Sequence, residues 1–146
     1  MSVEVAAASD LPAIRNLLEA AKLPSSDLAD DTAVRFWVAR VGVVVGAIGL
    51  ESFGTAGLVR SLVVSPDARR RGLGDSLVAA LETEAAACGL RDLVLLTQTA
   101  EQFFADRGYT VIDRSNAPAE LRQSSEFKSL CPASATCMSK PLRVHS

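Results

Sequence analysis

Apolar residues recur with the period of a strand in some parts of the chain and with the period of a helix in others. Gly42 begins a tight turn between two apolar runs, and residues 54–57 make the next turn. Strands joined by such short connections predict an antiparallel meander. The four predicted strands span residues 3–7, 34–41, 43–53 and 58–64.

A helix is predicted between the first two strands, over residues 11–22. Ser9 precedes it as the expected N-cap, because a serine hydroxyl can accept a hydrogen bond from the first helical turn. Pro12 is tolerated in that turn, where its missing N–H costs nothing. Residues 24–27 end the helix, and a brief helical turn is expected before the next strand.

A second helix is predicted over residues 75–88, and Gly89 supplies its C-terminal stop. Charged residues fall outside its apolar stripe, so one face is expected to pack against a sheet. The stripe consists of Leu73, Leu77, Leu81 and Ala85.

The second half of the chain predicts further strands and short helices. Residues 93–96 form a continuous apolar run, as in a strand buried within a parallel pair. Helices are expected over residues 99–107, ending at Gly108, and over residues 119–127. The last two strands are expected at residues 109–113 and 136–142. The whole pattern predicts an α/β fold with a mixed sheet, in which the antiparallel meander precedes a parallel pair and helices cover both faces.

Length and composition limit the class of protein. A chain of 146 residues predicts one domain, here residues 1–142 with a tail at 143–146, and 49% apolar with only 5% aromatic residues predicts an aliphatic core. No apolar run reaches the roughly 18 residues that span a bilayer, and the N-terminus lacks the pattern of a secretory signal. We therefore expect a cytoplasmic protein without membrane contact.

The three cysteines do not form a C-x-x-C pair or a common zinc pattern, so no metal is expected. Cys88, near the end of the second helix, is expected to be a small buried side chain. Cys131 and Cys137 would bind a soft metal or metalloid if they met in space, but structural thiols are the preferred interpretation.

An arginine and glycine segment, residues 69–74, lies between a predicted strand and a predicted helix. Gly72 and Gly74 let the backbone approach a ligand closely, and the following helix adds free N–H groups and a positive dipole end. A Rossmann fingerprint would need a third glycine at Leu77, and a P-loop would need Gly-Lys-Ser/Thr. A net charge of −2 and a pI near 5.4 argue against nucleic-acid binding. Two interpretations remain, a loop that binds a diphosphate and a turn exposed to solvent.

The spacing Arg69-x-x-Gly72-x-Gly74 after an apolar strand resembles the acetyl-CoA loop of the GNAT N-acetyltransferases. The resemblance covers nearly the whole chain and implies that a strand backbone holds the pantetheine arm and that the glycine loop holds the pyrophosphate. The residues it assigns to the cofactor are Leu62, Val63, Val64, Arg69, Arg70, Arg71, Gly72, Leu73, Gly74, Asp75, Ser76, Phe103 and Phe104.

Residues 99–109 resemble the segment of the same family that carries an aromatic pair before Gly-Phe or Gly-Tyr. Many members carry a tyrosine at the second position of that pair, where it protonates the departing thiolate. Phe104 stands there in this chain and has no proton to give, so water or bulk solvent would supply it. Tyr109, the only tyrosine, is expected to be a packing residue on a strand.

Two charged residues interrupt apolar strands and are the candidates for acceptor chemistry. An ammonium must lose a proton before its nitrogen can attack a thioester, and Glu51 is the expected proton acceptor, the alternative being a solvent-facing carboxylate. Arg60 would grip an anionic substrate, the alternative being a solvent-facing arginine or a pair with Glu51 across the hairpin. Ser61 and Phe53 complete the expected substrate site.

A closer resemblance links the chain to small acetyltransferases of bacterial arsenic-resistance operons. Gly49-Leu50-Glu51, Arg60-Ser61-Leu62 and residues 126–134 carry it. It implies acetylation of arsinothricin or phosphinothricin, which are anionic glutamate analogues. Aminoglycosides, polyamines and protein N-termini are other acceptors, and a CoA-binding or metalloid-sensing module is the alternative outside the enzymes. Exposed strand ends would allow a homodimer.

Overall fold

The computed structural model describes residues 2–23, 34–69, 72–124 and 135–142. Seven strands form one sheet in the order β1-β2-β3-β4-β5-β7-β6. β1 pairs antiparallel with β2, and β2 with β3, whereas β4 and β5 are parallel and β7 is antiparallel to both its neighbours. The predicted mixed α/β fold is confirmed. The strands are β1 (Ser2–Val5), β2 (Val34–Val41), β3 (Val43–Phe53), β4 (Ala56–Val64), β5 (Asp92–Thr97), β6 (Thr110–Val111) and β7 (Thr136–Pro141).

Helices α1 (Leu11–Ala20), α2 (Leu73–Ala87) and α3 (Glu101–Ala105) connect these strands. The prediction of Ser9 as N-cap is wrong, because Ala8–Asp10 form a short 3-10 turn that places Asp10 at the cap position of α1. The carboxylate of Asp10 accepts a hydrogen bond from the Ala7 N–H at 2.9 Å instead. The expected helical turn after residue 27 lies outside the described residues.

Helix α2 begins two residues earlier than predicted, and its apolar stripe is buried throughout. At its end the N–H groups of Gly89 and Leu90 donate to Ala86 O and Ala85 O, which is the hydrogen-bond pattern of a glycine-terminated helix. The prediction that Cys88 is buried is wrong. Cys88 lies where the chain leaves the helix, and Leu90 occupies the buried position beyond it.

Several element bounds in the second half differ from the prediction. Helix α3 spans five residues instead of nine, and β6 only two. Leu121–Gln123 form a 3-10 turn where part of the helix over residues 119–127 was expected, and residues 125–127 lie outside the described residues. Strand β4 begins at Ala56, so the turn before it is two residues shorter than predicted.

The chain groups into two compact units. One contains Met1–Glu51 and Arg60–Glu84. Its core places α1 against one face of the sheet, while Leu77 of α2 comes close to Gly46 on the opposite face. The core cluster consists of Ile14, Leu18, Val34, Phe36, Val38, Ala47 and Val63.

The second unit contains Ser52–Val59 and Ala85–Ser146. Its cluster joins the start of β4 to β5, β7 and the turns after β6, and it consists of Ala56, Leu58, Val94, Ala117, Leu121 and Cys137. Within the described parts of the chain, no helix has the length and apolar character needed to cross a membrane. The single domain over residues 1–142 stays a prediction.

Candidate functional site

Glu51 and Arg60 form an ion pair. Arg60 Nη1 lies 3.4 Å from Glu51 Oε1. The side chain of Arg60 is fully buried, whereas that of Glu51 keeps 20% of its surface exposed. The sequence left two alternatives to substrate binding for Arg60, exposure to solvent or a pair with Glu51. The structure contains the pair. Of the two side chains, that of Glu51 therefore keeps surface that a solute can reach.

Ser61 adopts an unusual backbone conformation next to this pair. Its φ of 62° lies in the left-handed region, which is costly for a residue with a side chain. Arg60 Nε donates to Ser61 Oγ at 3.3 Å. Ser61 is partly buried, and its hydroxyl contacts the guanidinium of Arg60.

Gly49 lies beside the pair on β3, facing β2. A Cβ at this position would come within 2.9 Å of Val34 Cγ1 and 3.0 Å of Phe36 Cε1, and within 3.3 Å of Arg60 O. Only glycine fits this space without movement of its neighbours. A glycine inside an apolar strand indicates that another part of the chain approaches its backbone closely. Gly49 was not among the site residues predicted from the sequence.

The end of β4 leads into the predicted cofactor segment. Val63 is buried, and Leu62 and Val64 are partly exposed. Ser65 N–H donates to Val45 O at 2.7 Å, which fixes the chain to β3 just after the strand ends. Arg69 is exposed and its Nε donates to Val64 O at 3.2 Å, across the turn Pro66–Ala68.

The start of α2 provides backbone donors beyond this turn. Gly72 has a φ of 74° and is exposed, with open space where a Cβ would stand. The helical hydrogen bonds begin with Ser76 N–H to Gly72 O, so the N–H groups of Leu73 and Gly74 precede them. Buried Leu73 anchors the helix start, and exposed Asp75 lies in the first turn, where an acidic residue suits the helix dipole. Arg70 and Arg71 lie outside the described residues.

The aromatic pair lies in the second unit. Phe104 is buried and meets Tyr109 edge to face at 5.3 Å between ring centroids. Phe103 is partly buried, and the guanidinium of Arg107 stacks 3.6 Å above its ring centroid. Tyr109 is buried and packs as predicted. Phe53, which was predicted to contact the substrate, packs against the apolar cluster of the second unit.

The described cysteines do not form a cluster. Cys137 is buried, and desolvation raises the pKa of its thiol, which keeps the sulfur protonated. Cys131, the partner of Cys137 in the alternative metal-binding interpretation, lies outside the described residues. Among the residues that are described, no group of three His, Cys, Asp or Glu side chains could hold a metal ion.

Comparison with known families decides the classification. Residues 32–111, more than half of the chain, match the family described as an acetyltransferase (GNAT) domain. The chain belongs to the GNAT acetyltransferase family. This span contains β2 to β6, and with them Glu51, Arg60 and the segment from Leu62 to Ser76.

Among the curated relatives of this GNAT protein is an amino-acid acetyltransferase of Ectopseudomonas mendocina, which is 33% identical over 84 residues. The match covers 56% of the present chain and 19% of the relative. The chain therefore spans about a fifth of the length of the curated relatives that it matches.

Solved structures resemble the whole chain. N-acetylglutamate synthase from Neisseria gonorrhoeae, complexed with coenzyme A and L-arginine, superposes with a TM-score of 0.82 and 22% identity, over 97% of this chain and 33% of that one. This likeness shows the fold. Rv2747 from Mycobacterium tuberculosis, in complex with CoA and NLQ, superposes with a TM-score of 0.79 and 27% identity, over 98% of this chain and 100% of that one.

Proposed function

We propose that this GNAT protein transfers an acetyl group from acetyl-CoA to the amine of a small, anionic, amino acid-like substrate. The observation that carries the proposal is the Glu51–Arg60 pair, in which the Glu51 side chain is partly exposed and which lies within the family's matched span. The relatives named amino-acid acetyltransferase support an amino acid-like acceptor. The finer proposal is a substrate of the arsinothricin or phosphinothricin type.

Acetyl-CoA binds, in this proposal, along the end of β4 and the start of α2. The backbone of Leu62, Val63 and Val64 holds the pantetheine arm, and the donors at the start of α2 hold the pyrophosphate. Arg69, Arg70 and Arg71 add positive charge beside it. The cofactor roles of Phe103 and Phe104 stay predictions from the sequence. Solved structures of similar fold that contain CoA support acetyl-CoA as the donor.

Glu51 then acts as the proton acceptor. The substrate ammonium gives a proton to the carboxylate, directly or through water, and the freed lone pair attacks the thioester carbonyl carbon. The nitrogen loses its second proton to solvent, and the carbon–sulfur bond breaks as the tetrahedral intermediate collapses. Solvent protonates the departing thiolate because Phe104 cannot. The products are the N-acetyl compound and CoA.

Arg60 and Ser61 set the acceptor side. In the structure the guanidinium is buried and paired with Glu51, so its positive charge compensates the carboxylate. Contact with the substrate anion would require the ion pair to open. Phe53 would pack against the substrate's carbon chain. A cytoplasmic location and a homodimer stay predictions.

Thiol release from acetyl-CoA tests this function, with phosphinothricin, arsinothricin, glutamate, spermidine and an aminoglycoside as acceptors. We expect turnover with the anionic amino acids and a loss of roughly 10²–10⁴-fold in kcat for Glu51→Gln. Glu51→Asp keeps the charge, and Glu19→Gln removes an exposed carboxylate from α1 as the matched control. Thermal unfolding and acetyl-CoA affinity of each variant separate lost catalysis from lost folding.

Two results would count against the proposal. Full activity of Glu51→Gln would remove Glu51 from the reaction, and turnover only with spermidine or the aminoglycoside would replace the anionic acceptor. Binding of acetyl-CoA without turnover on any acceptor would favour a CoA-binding module instead.

A further inference from the structure

The hydrogen bond between Arg60 and Ser61 is unusual for neighbours in a strand. Successive side chains of a regular strand point to opposite faces of the sheet, which separates the polar ends of residues i and i+1. Here Arg60 Nε lies 3.3 Å from Ser61 Oγ, and Ser61 has a φ of 62° within β4. The left-handed residue interrupts the regular pleat and brings the two side chains together.

This hydrogen bond also bears on the direction of the guanidinium. The group is planar and its N–H donors have fixed relative directions, so a hydrogen bond at Nε restricts where Nη1 can point. Nη1 lies 3.4 Å from Glu51 Oε1. Ser61, Arg60 and Glu51 thus form a chain of polar contacts that runs from the strained backbone of β4 to the carboxylate on β3.

We infer that Ser61 is a positioning residue, which fixes Arg60 and through it the carboxylate of Glu51. The inference rests on the proposed function of Glu51 as proton acceptor. It gives a reason for the strained backbone, because conformations of this kind persist where the surrounding structure uses them. It also gives the Ser61 hydroxyl a role that needs no contact with substrate.

Ser61→Gly separates this role from a structural one. Glycine adopts a positive φ without strain, so the variant keeps the backbone and loses only the hydroxyl. We expect unchanged or higher thermal stability, unchanged affinity for acetyl-CoA, and a fall in kcat of roughly 10-fold to 100-fold, as for loss of one hydrogen bond to a charged group. Ser61→Ala should lose as much kcat and also some stability, because it loses the hydrogen bond without the relief of strain that glycine gives.

Lys22→Gly is the matched control. Lys22 is exposed at the end of α1 and has a φ of 59°, nearly that of Ser61. Its replacement relieves the same backbone strain away from Glu51, so stability should rise while kcat stays unchanged. Wild-type kcat in the Ser61→Gly variant would overturn the inference, since the proposed function would stand without the hydroxyl.

An NMR measurement tests the same contact without turnover. The Arg60 Nε–H resonance, assigned by its loss in Arg60→Lys, should shift and exchange faster in Ser61→Gly and stay in place in Lys22→Gly. An unmoved resonance in Ser61→Gly would overturn the inference. Absence of turnover in the wild-type protein would instead overturn the proposed function, and would leave the resonance to decide whether Ser61 holds Arg60.

Discussion

Gly49 shows how closely the residues around Glu51 are packed. A methyl group at this position would lie 2.9 Å from Val34 Cγ1 and 3.0 Å from Phe36 Cε1, both of which are buried in the core of the first unit. We expect Gly49→Ala to lower the free energy of unfolding by about 1–3 kcal/mol, the usual cost of overpacking a well-filled core.

Urea denaturation measures this loss. Ser52→Ala, three residues along the same strand at an exposed position, is the control and should stay within about 0.5 kcal/mol of the wild type. Equal stability of Gly49→Ala and the control would mean that Val34 and Phe36 move aside at no cost.

Asp10 links the start of α1 to the edge of the sheet. Hydrogen bonds from the Ala7 N–H and from Arg40 lower the pKa of its carboxyl below the ordinary value of 3.8. Because the folded-state pKa is lowered, the stabilisation is complete above the ordinary value of 3.8. It is lost as the pH falls from there through the folded-state pKa. Arg40 also pairs with Glu4 at 2.7 Å, so it joins two carboxylates.

We expect Asp10→Ala to cost about 1 kcal/mol at neutral pH, the usual net value of an intramolecular hydrogen bond. The difference from the wild type should narrow as the pH falls below 3.8, because both proteins then lack the charged carboxylate. Urea midpoints over a pH series give this difference, and a gap that widens in acid would contradict the assignment.

Single residues were predictable from sequence where their polarity conflicted with their neighbours. Glu51 and Arg60 stand out because a charge inside an apolar strand needs a partner or a site, and the structure pairs the two. The left-handed backbone of Ser61 was not predictable, because serine has no preference for this conformation. The exposure of Cys88 was missed because a helix pattern does not give the residue at which the chain turns away.

Helix ends are the clearest feature at the scale of elements. Helices α2 and α3 end with Gly89 and Gly108, both at positive φ. Helix α1 ends with the same hydrogen bonds, from Lys22 N–H to Glu19 O and from Leu23 N–H to Leu18 O, but with lysine at the left-handed position. The end of α1 is therefore strained, whereas the ends of α2 and α3 are not.

Lys22→Gly should accordingly stabilise the protein by about 0.5–1 kcal/mol. Relief of the left-handed strain, worth roughly 1–2 kcal/mol, is partly offset by the greater freedom of glycine in the unfolded chain. The midpoint of urea denaturation measures the gain. Lys22→Ala keeps the strained backbone and should show no gain in stability. A loss of stability in Lys22→Gly would contradict this account.

Elements with a long regular pattern were predictable, and short ones were not. The four-residue repeat of α2 and the valine-rich strands β2 and β3 lie where the sequence indicates. The expected helix over residues 119–127 is a 3-10 turn at Leu121–Gln123 in its described part. There buried Leu121 and Ala117 belong to the apolar cluster of the second unit, so tertiary packing overrides a weak local preference.

The order of strands is a property of the whole molecule. Strand β7, the last in the chain, lies between β5 and β6 and pairs with both. Local periodicity predicts that a strand exists there. Its place depends on pairing with residues 27 to 49 positions away in sequence, for which the sequence carries no short-range signal. The meander β1 to β4 was predictable because its connections from β2 onward are short.

Charge is distributed unevenly over the whole chain. Residues 58–72 contain four arginines and one aspartate within a protein of net charge −2. Because Arg60 is buried against Glu51, it adds little to the positive potential outside the protein. Among the described residues of this segment, Arg69 is the exposed arginine, and Arg70 and Arg71 follow it in sequence.

Salt should therefore weaken acetyl-CoA binding through these three arginines. Exposed charge pairs are worth roughly 0.2–1 kcal/mol each, and the Debye length falls from about 10 Å at 0.1 M salt to about 3 Å at 1 M. We expect Arg69→Gln/Arg70→Gln/Arg71→Gln to bind acetyl-CoA roughly ten-fold more weakly at low salt and to lose most of the salt dependence. Titration calorimetry at several salt concentrations measures both effects, with exposed Arg91→Gln as the control. Equal salt dependence in the triple variant and the wild type would mean that backbone donors, and not these side chains, hold the diphosphate.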